Sequence, residues 1–183
     1  MQALIIVDMQ MDMQYRMDRG RDHVNAEAPA RVASLAAAFR RQGRAVIHVR
    51  HRDDNPASPF HGDAPGYPPM PCAQAQDGES VFLKHTSSGF AGTGLEDYLR
   101  QKDITNVVVV GAVAEFCVHS TVRAGADLGF GMTVVSDAVI GFDMPADNLS
   151  ARMVFDVTMA LLKSDFAMVV ETAQVLGALD GDA

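Results

Sequence analysis

Three side chains in this sequence are of types that together could run acyl transfer: a thiol at Cys117, a carboxylate at Asp8 and an ammonium at Lys84. A thiol supplies a nucleophile, a carboxylate a base for its proton, and an ammonium a fixed charge beside the negative ones that develop. Cys117 follows the apolar run Asn106-Val-Val-Val-Val-Gly-Ala-Val113 and a short turn, and reads as opening a helix. The unpaired N–H groups and macrodipole at a helix start favour negative charge, so this setting predicts a thiol biased towards its thiolate. The alternative for any free cysteine is plain core packing.

Asp8 and Lys84 occupy equivalent places. Ala3-Leu-Ile-Ile-Val7 is an apolar run of the kind buried on both faces of a parallel sheet, and it ends in Asp8. Ser80-Val-Phe-Leu83 is a second such run and ends in Lys84. The three reactive groups therefore fall at the carboxyl ends of predicted strands or just beyond them, the edge at which open α/β sheets bind ligands.

Four segments run in order through nearly the whole chain: Ile6-Val-Asp8-Met-Gln10; Lys84-His-Thr-Ser-Ser-Gly-Phe90 leading into Thr93-Gly-Leu-Glu-Asp-Tyr-Leu99; Gly111-Ala-Val-Ala-Glu-Phe-Cys117-Val-His-Ser-Thr121; and Gly129-Phe130 with Val134-Val-Ser-Asp137-Ala138. Together they resemble the isochorismatase-like cysteine hydrolases, a family that includes nicotinamidases and carbamoyl-amide hydrolases. Met13, where an aromatic is common, and Ala114, where many members have Thr, depart from the pattern and bear on substrate more than on chemistry. The resemblance implies an Asp8–Lys84–Cys117 triad that hydrolyses a small amide or carbamoyl C–N bond through a thioester. It further implies an oxyanion hole from the backbone N–H groups of Val113 and Cys117, with a cis peptide between Ala112 and Val113. Gln10, Phe60, His61 and Phe90 are the expected substrate-facing residues, with Tyr67 beside them, and a homodimer or higher homo-oligomer is expected. Two other readings compete: isochorismate-type vinyl-ether hydrolysis, which does without the cysteine, and a redox-sensing thiol on the same fold.

The elements that must position these groups alternate. Strands are expected at 3–8, 45–50, 80–84, 106–112, 131–136 and 167–170. Helices are expected at 24–42 ending at Gly43, at 94–102 capped by Thr93, at 117–129, at 148–163 capped by Asp147, and at the C-terminus. This pattern predicts one domain over 1–183, a three-layer α/β/α fold with a six-stranded parallel sheet in Rossmann-like order.

Residues 52–79 break the rhythm, holding six of the eight prolines without periodicity. Such a loop reads as a lid or subunit interface. Cys72 within it reads as an exposed thiol. His48, His51, Asp53 and His61 could suggest a metal, but residues three apart on a strand point to opposite faces, so no metal site is expected. A His two positions past a helical residue faces away from it, which argues against His119 as a partner of Cys117. The methionines at 9, 11, 13 and 17 read as packing, and the glycines at 89, 92 and 94 lack the Lys-Ser/Thr of a phosphate loop, so no cofactor is expected.

Composition narrows the classes further. With 48% hydrophobic residues, 183 residues can bury about 70% of the unfolded surface. A net charge of −8 disfavours nucleic-acid and anionic-membrane partners. Two cysteines fit no disulfide framework, Asp8 interrupts any signal-like run, and no stretch approaches about 20 apolar residues, so a cytoplasmic enzyme with a small-molecule substrate is expected.

Overall fold

The strands form because whole segments are apolar on both faces. In β1 (Gln2–Val7), Ala3, Ile5 and Val7 enter one core cluster while Leu4 and Ile6 enter another across the sheet, and in β5 (Asn106–Ala112) Val107 and Val109 part from Val108 and Val110 in the same way. Side chains alternate faces along a strand, so a sheet covered by helices on both sides selects continuous runs of Val, Ile and Leu. The computed structural model describes residues 1–181.

Chain order is β1, α1 (Met11–Asp18), β2 (His23–Val24), α2 (Ala28–Arg41), β3 (Val46–His51), β4 (Ser80–Lys84), α3 (Leu95–Gln101), β5, α4 (His119–Asp127), β6 (Gly131–Phe142), α5 (Ala151–Asp165), β7 (Met168–Val170) and α6 (Thr172–Gly181). The sheet runs β4-β3-β1-β5-β6, and β6 pairs further with β7 in parallel and β2 in antiparallel sense. The six expected strands thus take the order 3-2-1-4-5-6, whose switch point lies between β1 and β5.

Several details depart from expectation. The segment after Asp8 forms α1 rather than loop, and α2 begins at Ala28 because His23–Val24 pairs with the end of β6. β6 runs on through Ser136-Asp137 to Phe142: its register against β5 jumps after Val109↔Val134 to Gly111↔Val139, and the Asn25 amide bridges the irregular stretch by donating to the Ser136 and Val139 carbonyls. The cap of α5 is Ser150, which accepts the Met153 N–H, while Asp147 lies in a preceding 3-10 turn. The N-cap of α3 is Gly94 rather than the expected Thr93, although the Thr93 hydroxyl accepts the Leu95 N–H; Gly43 follows α2 with φ +63. No helix among the described residues is long and apolar enough to cross a membrane.

Candidate active site

β1 is followed directly by Asp8, whose φ of +46 turns the chain off the sheet while its N–H bonds to the Val49 carbonyl at 2.9 Å. The neighbouring strand β5 approaches closely here. Gly111 has φ +123, and a Cβ on it would strike the Val7 carbonyl oxygen, so only glycine fits. The next peptide, Ala112–Val113, is cis. Residues 114–118 then make one π-helical turn that carries Cys117. The Val113 carbonyl accepts from the N–H groups of Phe116 and Val118, both at 3.2 Å, and not from the Cys117 N–H between them.

Lys84, fully buried, joins the two strand ends. Its Nζ lies 2.7 Å from Asp8 Oδ2 and 3.2 Å from Cys117 Sγ, and it also donates to the Thr86 carbonyl at 3.1 Å and faces His51 Nδ1 at 3.2 Å. Asp8 Oδ1 is buried and without a hydrogen-bond partner, so one carboxylate oxygen is paired and the other is free to act. Asp8, Lys84 and Cys117, 109 positions apart in sequence at the extremes, thus converge on one ammonium.

The thiol itself is not predisposed to ionise. Burial, and then the negative charge of Asp8, push Cys117 up to about 12, against the opposing pull of Lys84. This corrects the thiolate expected from the helix start: Cys117 precedes α4 in a π turn, and desolvation outweighs any dipole. Cys72 is corrected too. It sits half-buried against the core in a 3-10 turn, and burial raises it to about 11.

A family model for the isochorismatase domain matches residues 2–174. The chain belongs to the isochorismatase family. It is 32% identical over 177 residues to the isochorismatase family protein YrdC of Bacillus subtilis (strain 168), covering 95% of this chain and 94% of that one. A crystal structure of a hydrolase of the isochorismatase family from Chromobacterium violaceum ATCC 12472 superposes with a TM-score of 0.91 at 31% identity, covering 98% of this chain and 93% of that chain. A shorter match, 38% identical over 69 residues, is to N-carbamoylsarcosine amidase of an Arthrobacter species and covers 38% of this chain and 26% of that one.

Within this isochorismatase-family chain the other candidates divide. Gln10, expected to face substrate, is fully buried: its amide donates to the His51 and Tyr67 carbonyls (3.0 and 2.8 Å) and accepts the His51 N–H at 2.8 Å. It is corrected to a staple between β3 and the 52–79 loop, with no amide hydrogen to spare. Phe90 is corrected to a core residue, stacked on Phe130 at 5.7 Å between ring centroids. Phe60 packs edge-on against the His51 ring at 5.1 Å, while His61 Nδ1 accepts the N–H of Asp63 inside the loop. The loop lies along the chain just past Asp8, its Gly66 and Pro68 carbonyls accepting from Asp12 and Met11 and its Met70 N–H donating to Met9.

His48 and His51 turn to different partners. His48 Nε2 meets Glu79 at 2.9 Å, beside Arg40, which bonds to both Glu79 oxygens, whereas His51 meets Lys84. No group of three His, Cys, Asp or Glu among the described residues is arranged to hold a metal ion. His119 opens α4 with Nε2 buried and unpartnered. Two features escaped the sequence: the Thr86 carbonyl as an acceptor for Lys84, and Phe116, a half-exposed ring next to Cys117. A backbone carbonyl two residues after a lysine and one exposed aromatic carry no signal until the fold places them. A cavity of about 700 Å³ lies at the opposite edge of the sheet, between Gln2, Val46 and Ile104, away from this chemistry.

Proposed function

We propose that the protein is a cysteine hydrolase that cleaves the C–N bond of a small amide or carbamoyl compound. The observation that carries this reading is one buried ammonium held by a carboxylate at 2.7 Å and a thiol at 3.2 Å, with the second carboxylate oxygen unpartnered. Similarity to an amidase supports the same bond class.

Because Cys117 holds its proton at rest, attack and deprotonation go together. Sulfur bonds to the carbonyl carbon as its proton passes to Asp8, and Lys84 balances the charge moving between them. The tetrahedral oxyanion is held by the backbone N–H groups of Val113 and Cys117, the latter free of the Val113 carbonyl. The C–N bond breaks, Asp8 returns the proton to the departing ammonia or amine, and a thioester remains. Water then attacks with Asp8 accepting its proton, the C–S bond breaks, and that proton restores the thiol. Phe60, packed against His51, and the exposed Phe116, adjacent to Cys117 in the chain, would meet the substrate's apolar part.

A redox-sensing thiol needs no buried carboxylate arranged beside it, so that reading leaves Asp8, paired with Lys84 through one oxygen and unpartnered at the other, without a task. The vinyl-ether reading leaves Cys117 without a task. Ammonia release measured across primary amides, carbamoyl compounds and nicotinamide tests the proposal. Turnover is expected on at least one member and lost in Cys117→Ala, which retains the wild-type fold by circular dichroism. Wild-type activity in that variant sinks the thioester route.

A further inference from the structure

Lys84 has more acceptors than it has hydrogens. An ammonium carries three N–H groups and accepts nothing, yet four acceptors surround it: Asp8 Oδ2, the Thr86 carbonyl, Cys117 Sγ and His51 Nδ1. The carboxylate and the carbonyl are the strong ones, so the third N–H is contested between a sulfur and an imidazole nitrogen, both at 3.2 Å.

The imidazole is well placed to receive it. An ammonium facing Nδ1 requires a lone pair there, hence a neutral ring with its proton on Nε2. Burial, followed by the charge of Lys84, lowers the His51 pKa, while Asp8, Asp53 and the Thr86 carbonyl face the ring and oppose this. The ring is also fixed in place. His51 pairs with Lys84 in the β3–β4 register, the Gln10 amide clamps both its backbone N–H and its carbonyl, and Phe60 packs across its face.

We infer that His51 is a positioning residue for Lys84: its Nδ1 holds the third Lys84 N–H while Cys117 is protonated or acylated, and yields it to Sγ when the sulfur carries charge. The inference rests on the proposed function in taking Cys117 as the nucleophile. Thiol and thioester sulfurs are weak acceptors, so without His51 a buried N–H would lose its partner in those states. With only the sulfur left to receive it, the thiolate is populated more than in the wild type, though the thiol remains the main form.

Two substitutions separate this from simple packing. His51→Phe keeps a ring against Phe60 but has no acceptor, and His51→Asn keeps an acceptor near the Nδ1 position but has no ring. The readout is the iodoacetamide alkylation rate of Cys117, followed by intact-mass mapping between pH 8 and 10, with Cys72 as reference in the same molecule. H51F is expected to alkylate at Cys117 about tenfold faster, a downward shift of roughly one pKa unit, and H51N within about twofold of wild type. Wild-type rates in H51F, a change confined to H51N, or equal acceleration in both would each overturn the inference. Should H51F not fold, His51→Leu serves as the acceptor-free variant. No turnover is involved, so failure of every amide in the panel defeats the proposed reaction without touching this result.

Discussion

Replacing Lys84 by methionine keeps most of the length of the side chain and removes its charge. The wild-type pair is dry, with side-chain exposures of 0% for Lys84 and 3% for Asp8 at 2.7 Å, so solvent cannot replace the lost partner. Removing one member of such a pair costs about 3–5 kcal/mol because the other charge stays buried. For a chain of this length each kcal/mol moves the melting temperature by about 2–4 °C, so Lys84→Met should melt roughly 6–20 °C lower at pH 8. Asp8→Asn/Lys84→Met, which buries no charge, should regain most of the loss. Differential scanning calorimetry of the four proteins of this cycle at pH 8 tests the reasoning. A Lys84→Met protein that melts within 2 °C of wild type, or a double variant that melts no higher than Lys84→Met, would refute it.

Cys117 and Cys72, raised by burial to about 12 and about 11, keep their protons in the folded state at a pH where the unfolded chain has lost them. Stability should thus fall as pH rises above about 9, and each Cys→Ala change should flatten the fall by about 1.4 kcal/mol per pH unit, as read by urea denaturation under reducing conditions. Gly111→Ala places a methyl against the Val7 carbonyl oxygen at a positive φ, and should cost more than about 4 kcal/mol or yield insoluble protein; a soluble variant with the wild-type melting point contradicts the close approach of β1 and β5. Gln10→Ala removes three hydrogen bonds to the backbone of His51 and Tyr67, and should speed limited proteolysis within 52–79 without unfolding the sheet.

The strands were legible because burial on both faces leaves no polar position to blur the pattern, as in Ala3–Val7 and Val107–Val110. Asp8 stood out by ending such a run, and Lys84 by ending a shorter apolar run that the structure leaves partly exposed at Val81 and Leu83. What escaped depends on partners distant in sequence. α1 has no side-chain cap; its first N–H groups, of Met11 and Asp12, are satisfied by the carbonyls of Pro68 and Gly66 some 55 residues on, so nothing local announces it. The extension of β6 past Ser136-Asp137 needs the Asn25 side chain. Gln10 and Phe90 look available to substrate in a motif, and only packing shows both to be occupied. The protonation of Cys117 was misjudged for the same reason: a helix start is a local feature, whereas the burial and the Asp8 charge that prevail come from elsewhere in the fold.

β4 closes one side of the sheet, pairing among the described residues with β3 alone over five residues, with Val81 and Leu83 exposed. Yet it supplies the lysine that lies between Asp8, two strands inward, and Cys117, three strands inward. The proposed chemistry is therefore tethered to an edge strand. Transient detachment of β4 would withdraw the charge from the site while the β1–β5–β6 centre stays intact, and the Asp8–Lys84 pair acts as the stitch that resists it. On warming, competence should fade before cooperative melting, in step with amide exchange at Val81–Lys84 rather than at Val107–Val110.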